Sequence, residues 1–200
     1  MFSRRGRLCD QRKHPEGWHV RIFVEALNFA AVRHRTQRRK GRSGAPYINH
    51  LIEVAHLLTI HGEVDEEVLA AAVLHDAVED VGVTEAELRA LFGDRVADLV
   101  MCVSDDMALP TWERKLRQVE HAGSLSPEAQ NIKVADKISN LRGILTSPPE
   151  YWSLERKQAY YRWAREVVRA CHLANPGLLA MFDDVYASGL TCLVQEHRTT

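Results

Sequence analysis

The chain of 200 residues contains no apolar run near the roughly 18 residues that a bilayer-spanning helix needs. Its opening, MFSRRGRLCDQRKHPEG, has basic side chains with no apolar segment behind them, so neither a secretory signal nor a membrane association is expected. Cysteine is scarce: Cys9, Cys102, Cys171 and Cys192 stand far apart with no CxxC pair. That excludes a zinc ribbon, a thioredoxin-type motif and a small disulfide scaffold, and it suits a reducing cytoplasm. Alternating strand patterns, internal repeats and low-complexity tracts are absent as well. With 46% hydrophobic and 26% charged residues, neither a disordered chain nor a fibre is expected, and the length fits one domain.

What the chain has is helical periodicity. Val20, Phe23, Val24, Leu27, Ala30 and Ala31 recur at helical steps, predicting a first helix from about Trp18 to about Lys40 that the Gly- and Pro-containing stretch 41–46 ends. Further helices are expected at 48–60, 65–79, 84–93, 94–103, 111–121, 127–145, 153–174 and 177–188. Thr84 with Glu87 reads as a capping box, Gly93 as a stop, Asp94 as a cap, and Ser126-Pro127 as another helix start. The expectation is an all-α bundle of eight or nine helices over residues 18–195, with 1–17 a flexible basic arm.

The net charge of −1 hides an asymmetry: residues 1–42 carry +9 and the remainder −10. An anionic ligand is drawn first toward the N-terminal segment. Nucleic acid is disfavoured, because aromatic residues are not interleaved with the basic ones as single-strand platforms require.

Chemistry concentrates where a purely structural reading works worst. In the string LLHDAVED, His75, Asp76, Glu79 and Asp80 follow directly on the apolar run Leu69–Leu74. Glu79 and Asp80 alone would suit a solvated acidic face, but His75-Asp76 fall where side chains are buried. Buried acids need a partner, and a divalent cation also accepts an imidazole. Asp136 and Asn140 share one helical stripe in IKVADKISNLRGIL, and His50 ends PYINH beside apolar Leu51. A lone histidine there would usually be structural. Together, however, His50, His75, Asp76 and Asp136 make a two-histidine, two-carboxylate set suited to Mn²⁺, Fe²⁺ or Zn²⁺.

In these strings, and in HRTQRRK (34–40) and VSDDMALPTWERKLRQVE (103–120), the chain resembles the HD-domain (p)ppGpp hydrolases. These are the hydrolase half of the long Rel/SpoT enzymes and their single-domain relatives, including the metazoan SpoT homologue. The resemblance runs from about residue 20 to about 190. It implies that His50, His75, Asp76 and Asp136 hold one Mn²⁺, that Glu79 and Asp80 are the catalytic acidic pair, and that Arg39, Lys40, Tyr47 and Asn140 line the nucleotide site. It implies a small-molecule nucleotide substrate: (p)ppGpp, cleaved to pyrophosphate and GDP or GTP. NADPH 2′-phosphatase activity, or another HD-type nucleotide phosphohydrolase, is the alternative, and a homodimer is left open. A non-enzymatic sensor is disfavoured because all four ligands and both acids are present. The chain departs from the family at Leu51, where a proline is usual, and in the loop Gly41-Arg42-Ser43-Gly44-Ala45. His34, in the same histidine-rich region, is not expected to be a ligand.

Overall fold

In a computed structural model of the chain, residues 18–61 and 64–199 are described. They form α1 (Trp18–Arg33), α2 (Ile48–Ile60), α3 (Glu66–Leu74), α4 (Ala77–Val81), α5 (Glu85–Phe92), α6 (Asp94–Val103), α7 (Thr111–Ala122), α8 (Pro127–Thr146), α9 (Leu154–Ala170) and α10 (Pro176–Thr199). The short α4 continues α3 after a two-residue break, so the expected all-α bundle is observed, with one expected helix divided. The described residues contain no strand, only the isolated bridges Arg38–Pro46 and Gly41–Pro149. The arm expected at 1–17 lies outside the described residues.

Small residues bring α1 and α3 together: Ala26 and Ala30 on one, Ala70, Ala71 and Ala72 on the other, all fully buried. The Asp65 side chain caps α3 by accepting from Val68 N–H (3.0 Å). Helix α8 starts on the expected Ser126 cap with Pro127 in its first turn, then packs against α2, α6, α9 and α10. Surrounded on several sides, it buries polar side chains as well as Ile132, Val134 and Ile138; Lys133, Lys137 and Ser139 are all below 9% exposed.

Three expectations change. The first helix stops at Arg33 instead of Lys40, because the following backbone pairs across a loop: Arg39 N–H donates to Ala45 O (2.9 Å) and Tyr47 N–H to Gln37 O (3.1 Å). Arg39 and Lys40 therefore sit on a loop. Helix α6 is capped by Gly93, with Asp94 its first residue. The last helix runs on to Thr199, and its segment Pro176–Gln195 is long and apolar enough, by length and composition alone, to cross a membrane. It uses that face inside the fold, placing Leu178, Phe182, Tyr186 and Leu193 in the core and leaving Asp183 and Asp184 exposed. Leu51, standing where a proline is usual, is a fully buried residue in the first turn of α2.

Gly189 of α10 lies against the ring of Tyr161, closer than an added Cβ allows. Tyr161 cannot swing away, being fully buried and donating its hydroxyl to Leu141 O (3.0 Å). Gly189→Ala should therefore destabilise the protein by about 1–3 kcal/mol, read from denaturant unfolding, as overpacking does. An unchanged midpoint would contradict this packing of α10 on α9.

Candidate functional site

Between Leu74 and Ala77 the helix opens, and the opening presents the His75-Asp76 pair. His75 Nδ1 lies 2.8 Å from Ala72 O, the carbonyl that an unbroken helix would offer to Asp76 N–H. Asp76 sits at φ −98°, ψ 1°, and helical bonding resumes with Asp80 N–H on Asp76 O (2.9 Å). The expected i,i+4 stripe on one continuous helix is thus replaced by a break with a chemical cause.

The same bond fixes the ring. A carbonyl only accepts, so Nδ1 carries a proton and the buried Nε2 is the nitrogen left to face the carboxylates. His50 is set likewise. Ser139 Oγ donates its one proton to Glu53 Oε2 (2.7 Å) and so accepts from His50 Nδ1 (2.8 Å), leaving His50 Nε2 as an acceptor.

Both Nε2 atoms face two carboxylates. His50 Nε2 is 3.5 Å from Asp76 Oδ2 and 3.3 Å from Asp136 Oδ1; His75 Nε2 is 3.1 Å and 3.8 Å from the same atoms. Ligand atoms of His50, His75 and Asp76 all lie within 4.8 Å of one another; Asp136 approaches both imidazoles from α8 but stands outside that three-residue group. Two imidazole nitrogens and one carboxylate so grouped, with a second carboxylate beside the imidazoles, are a donor set that fits a divalent transition-metal cation. Burial lowers the His75 pKa, but Asp76 and Asp136 outweigh it and hold it well above the usual value. A bound cation replaces that proton.

The carboxylates also accept hydrogen bonds from the surrounding helices and loop. Tyr47 Oη donates to Asp76 Oδ2 (2.6 Å), Lys137 Nζ to Asp136 Oδ2 (2.8 Å) and Asn140 Nδ2 to Asp136 Oδ1 (2.5 Å). Burial by itself lowers the Lys137 pKa, but the Asp136 carboxylate beside it overrides that and holds the ammonium's pKa above the ordinary value. Asn140 also accepts from Arg39 Nη1 (3.1 Å), so the loop arginine is coupled to Asp136 through one amide. Arg39 lies over Gly143, where a Cβ would meet its guanidinium at 2.8 Å.

The structure separates the two acids. Glu79 lines a polar cavity of about 120 Å³ with His75, Asp76, Lys133 and Asp136. Its Oε1 accepts from Asp105 N–H (2.7 Å), yet burial, aided by the charges of Asp105 and Asp76, pushes its pKa up to about 7. Asp80 is exposed instead on the wall of a larger cleft of about 860 Å³, together with Arg39 and Lys40. Tyr47 and Asn140 line both spaces.

A family model described as HD domain matches residues 26–162. The chain belongs to the HD-domain family. It is 47% identical over 158 residues to the guanosine-3′,5′-bis(diphosphate) 3′-pyrophosphohydrolase MESH1 of Danio rerio, covering 78% of this chain and 88% of that one. For the Homo sapiens MESH1 the values are 49% over 154 residues, 76% and 86%. A solved structure, described as a metazoan ortholog of SpoT that hydrolyzes ppGpp and plays a role in starvation responses, superposes with a TM-score of 0.81. It is 40% identical, over 84% of this chain and 94% of that one.

Sequence reasoning left several residues of the HD domain's site unassigned. Lys115, Trp152, Arg156 and Tyr160 line the large cleft, opposite Arg39 and Lys40 in the chain order but on the same space. Lys115 lay in the 103–120 string, and Arg156 and Tyr160 share a helical face; nothing in the sequence tied either to the cleft. Lys133 is 8% exposed, donates to Val103 O (3.1 Å) and borders the small cavity. Ser139 lay in the IKVADKISNLRGIL string without an assigned role, and Glu53 carried no motif signal. Ser139→Ala should nonetheless weaken cation binding by about tenfold, because it frees the ring of His50. Calorimetric titration with Mn²⁺ measures it, and unchanged affinity would show that the serine does not orient the ligand.

Proposed function

We propose that this chain hydrolyses (p)ppGpp at the ribose 3′ position, releasing pyrophosphate and leaving GDP or GTP, with one Mn²⁺ held by His50, His75, Asp76 and Asp136. The observation that carries this reading is the approach of two oriented imidazole Nε2 atoms to two carboxylates, where an acid-lined cavity and a cation-lined cleft share Tyr47 and Asn140. The MESH1 relatives are named for the same reaction. We assign it to a reducing cytoplasm, which suits the free thiols Cys102, Cys171 and Cys192.

When bound, the cation supplies Lewis acidity, neutralising phosphate oxygens and acidifying water. The protein supplies the rest. Glu79, one turn beyond His75, takes the proton of the attacking water as its oxygen bonds to the 3′-linked phosphorus. The bond from that phosphorus to the ribose 3′ oxygen breaks, its electron pair stays on the oxygen, and a proton completes the 3′ hydroxyl. Asp80 faces the same reaction from the cleft and orients the water. Tyr47, its pKa raised by burial and then by Asp76, stays a phenol and keeps its hydrogen bond to the carboxylate. Arg39 and Lys40 meet the nucleotide, with Lys115 and Arg156 adding positive charge across the cleft and Trp152 and Tyr160 offering rings for a base.

The direct test is purified protein loaded with Mn²⁺ and given ppGpp, with pyrophosphate and orthophosphate scored separately. One pyrophosphate per GDP is expected. Intact ppGpp alongside orthophosphate from NADPH would overturn the substrate and leave a metal-dependent nucleotide phosphohydrolase.

Glu79 must be ionised to act, so kcat/KM should rise with pH through a midpoint at or below about 7, a bound cation favouring the carboxylate. Glu79→Gln should remove that limb and lower kcat by about 10²-fold or more, with metal content unchanged. Loss of metal instead would make Glu79 a ligand.

A further inference from the structure

His34 is the histidine of the site region that the cation set does not use. It stands one residue beyond α1, tied by His34 N–H to Ala30 O (2.9 Å), and only 2% of it is exposed. Its ring stacks on Tyr47, with centroids 5.4 Å apart and planes at 19°. His34 Nδ1 lies 2.5 Å from Gln37 Oε1, and Gln37 Nε2 donates to Asp80 Oδ2 (2.7 Å).

We infer that His34 and Gln37 form a positioning relay that fixes the Asp80 carboxylate; the inference rests on the hydrolase reading above.

The direction of the relay follows from its ends. An ionised carboxylate only accepts, so the Gln37 amide must turn its NH₂ toward Asp80 and its oxygen toward His34. That oxygen only accepts as well, so His34 Nδ1 must carry a proton. His34 Nε2 is buried without a hydrogen-bond partner. The neutral Nδ1–H form leaves only a lone pair there, whereas the charged ring would bury an unpaired N–H.

Asp80 needs such a hold. It is exposed, on a helix of five residues, and Gln37 is its one side-chain hydrogen-bond partner among the described residues. Left to itself, an exposed carboxylate samples several rotamers, and a group that must orient a water cannot. Gln37 is itself anchored: its N–H donates to His34 O (3.0 Å) and its carbonyl accepts from Tyr47 N–H (3.1 Å). The loop thus reaches the site by two arms, Gln37 to Asp80 and Tyr47 to Asp76, and His34 touches both.

The test combines turnover with a spectroscopic measurement. Gln37→Leu should lower kcat by about tenfold, the usual scale for a group that orients another, while KM for ppGpp and Mn²⁺ affinity hold. His34→Leu should match it. The double variant His34→Leu/Gln37→Leu should be no worse than either single one, since a relay is broken once. His34→Asn, which keeps a donor where Nδ1 stood, should recover most of the loss. In ¹⁵N-labelled protein the His34 resonances should report Nδ1–H with Nε2 unprotonated.

Losses that multiply in the double variant, a failure of asparagine to rescue, loss carried by KM or metal affinity, or an Nε2–H ring would each overturn the relay. If His34→Leu does not fold, the Gln37→Leu and His34→Asn comparisons and the tautomer still decide. Should the unsubstituted protein leave ppGpp intact, the substrate reading fails by itself. The tautomer needs no substrate, and the kcat comparisons can be made on whichever nucleotide is turned over.

Discussion

Two carboxylates, Asp76 and Asp136, stand within 4 Å of two imidazole nitrogens that carry no protons of their own once a cation is bound. Holding that much polarity inside an apolar bundle is the constraint from which the surrounding arrangement follows. Each carboxylate draws in donors: Tyr47 for one, Lys137 and Asn140 for the other. Each imidazole is turned from behind, one by Ala72 O and one by the Ser139–Glu53 pair. Removing a single partner leaves the charge buried and uncompensated, so these residues behave as a unit.

This explains why α8 departs from an ordinary amphipathic pattern. A helix packed against α2, α6, α9 and α10 has little solvent face, yet it must deliver Asp136 to the centre and the cations that balance it. Lys137 is 4% exposed, bonded to Asp136 and lying over the ring of Trp163 at 4.6 Å. Its ammonium is neutralised on one side and met by a π face on the other.

In the proposed function the work divides between two connected spaces. The small cavity is polar, lined by His75, Asp76, Asp136 and Glu79, and burial there tunes a carboxyl toward neutral pH, where a base is most useful. The large cleft is bounded by cations and rings from the 37–47 loop, α7 and α9. Chemistry sits on rigid helix segments, while recognition is assembled from a loop and the rim of the bundle.

The sequence by itself determined the helical class, because apolar periodicity is a local signal, and it singled out His50, His75, Asp76 and Asp136 as a candidate cation set from a polar cluster inside an apolar run; the proposed role of Glu79 and Asp80 came from the family resemblance. It also placed the caps at Thr84 and Ser126, which depend on the residues immediately following. It misjudged the first helix, since Arg39 and Lys40 look helical until the backbone finds partners at Ala45 and elsewhere across the loop. The break at His75, the tautomers of both histidines, the separation of Glu79 from Asp80 and the joining of His34 to Asp80 were decided only by tertiary structure. Each depends on a hydrogen-bond partner or a degree of burial supplied through folding. Ser139 and Glu53 are 86 residues apart in the chain, and no local pattern could have brought the serine between Glu53 and His50.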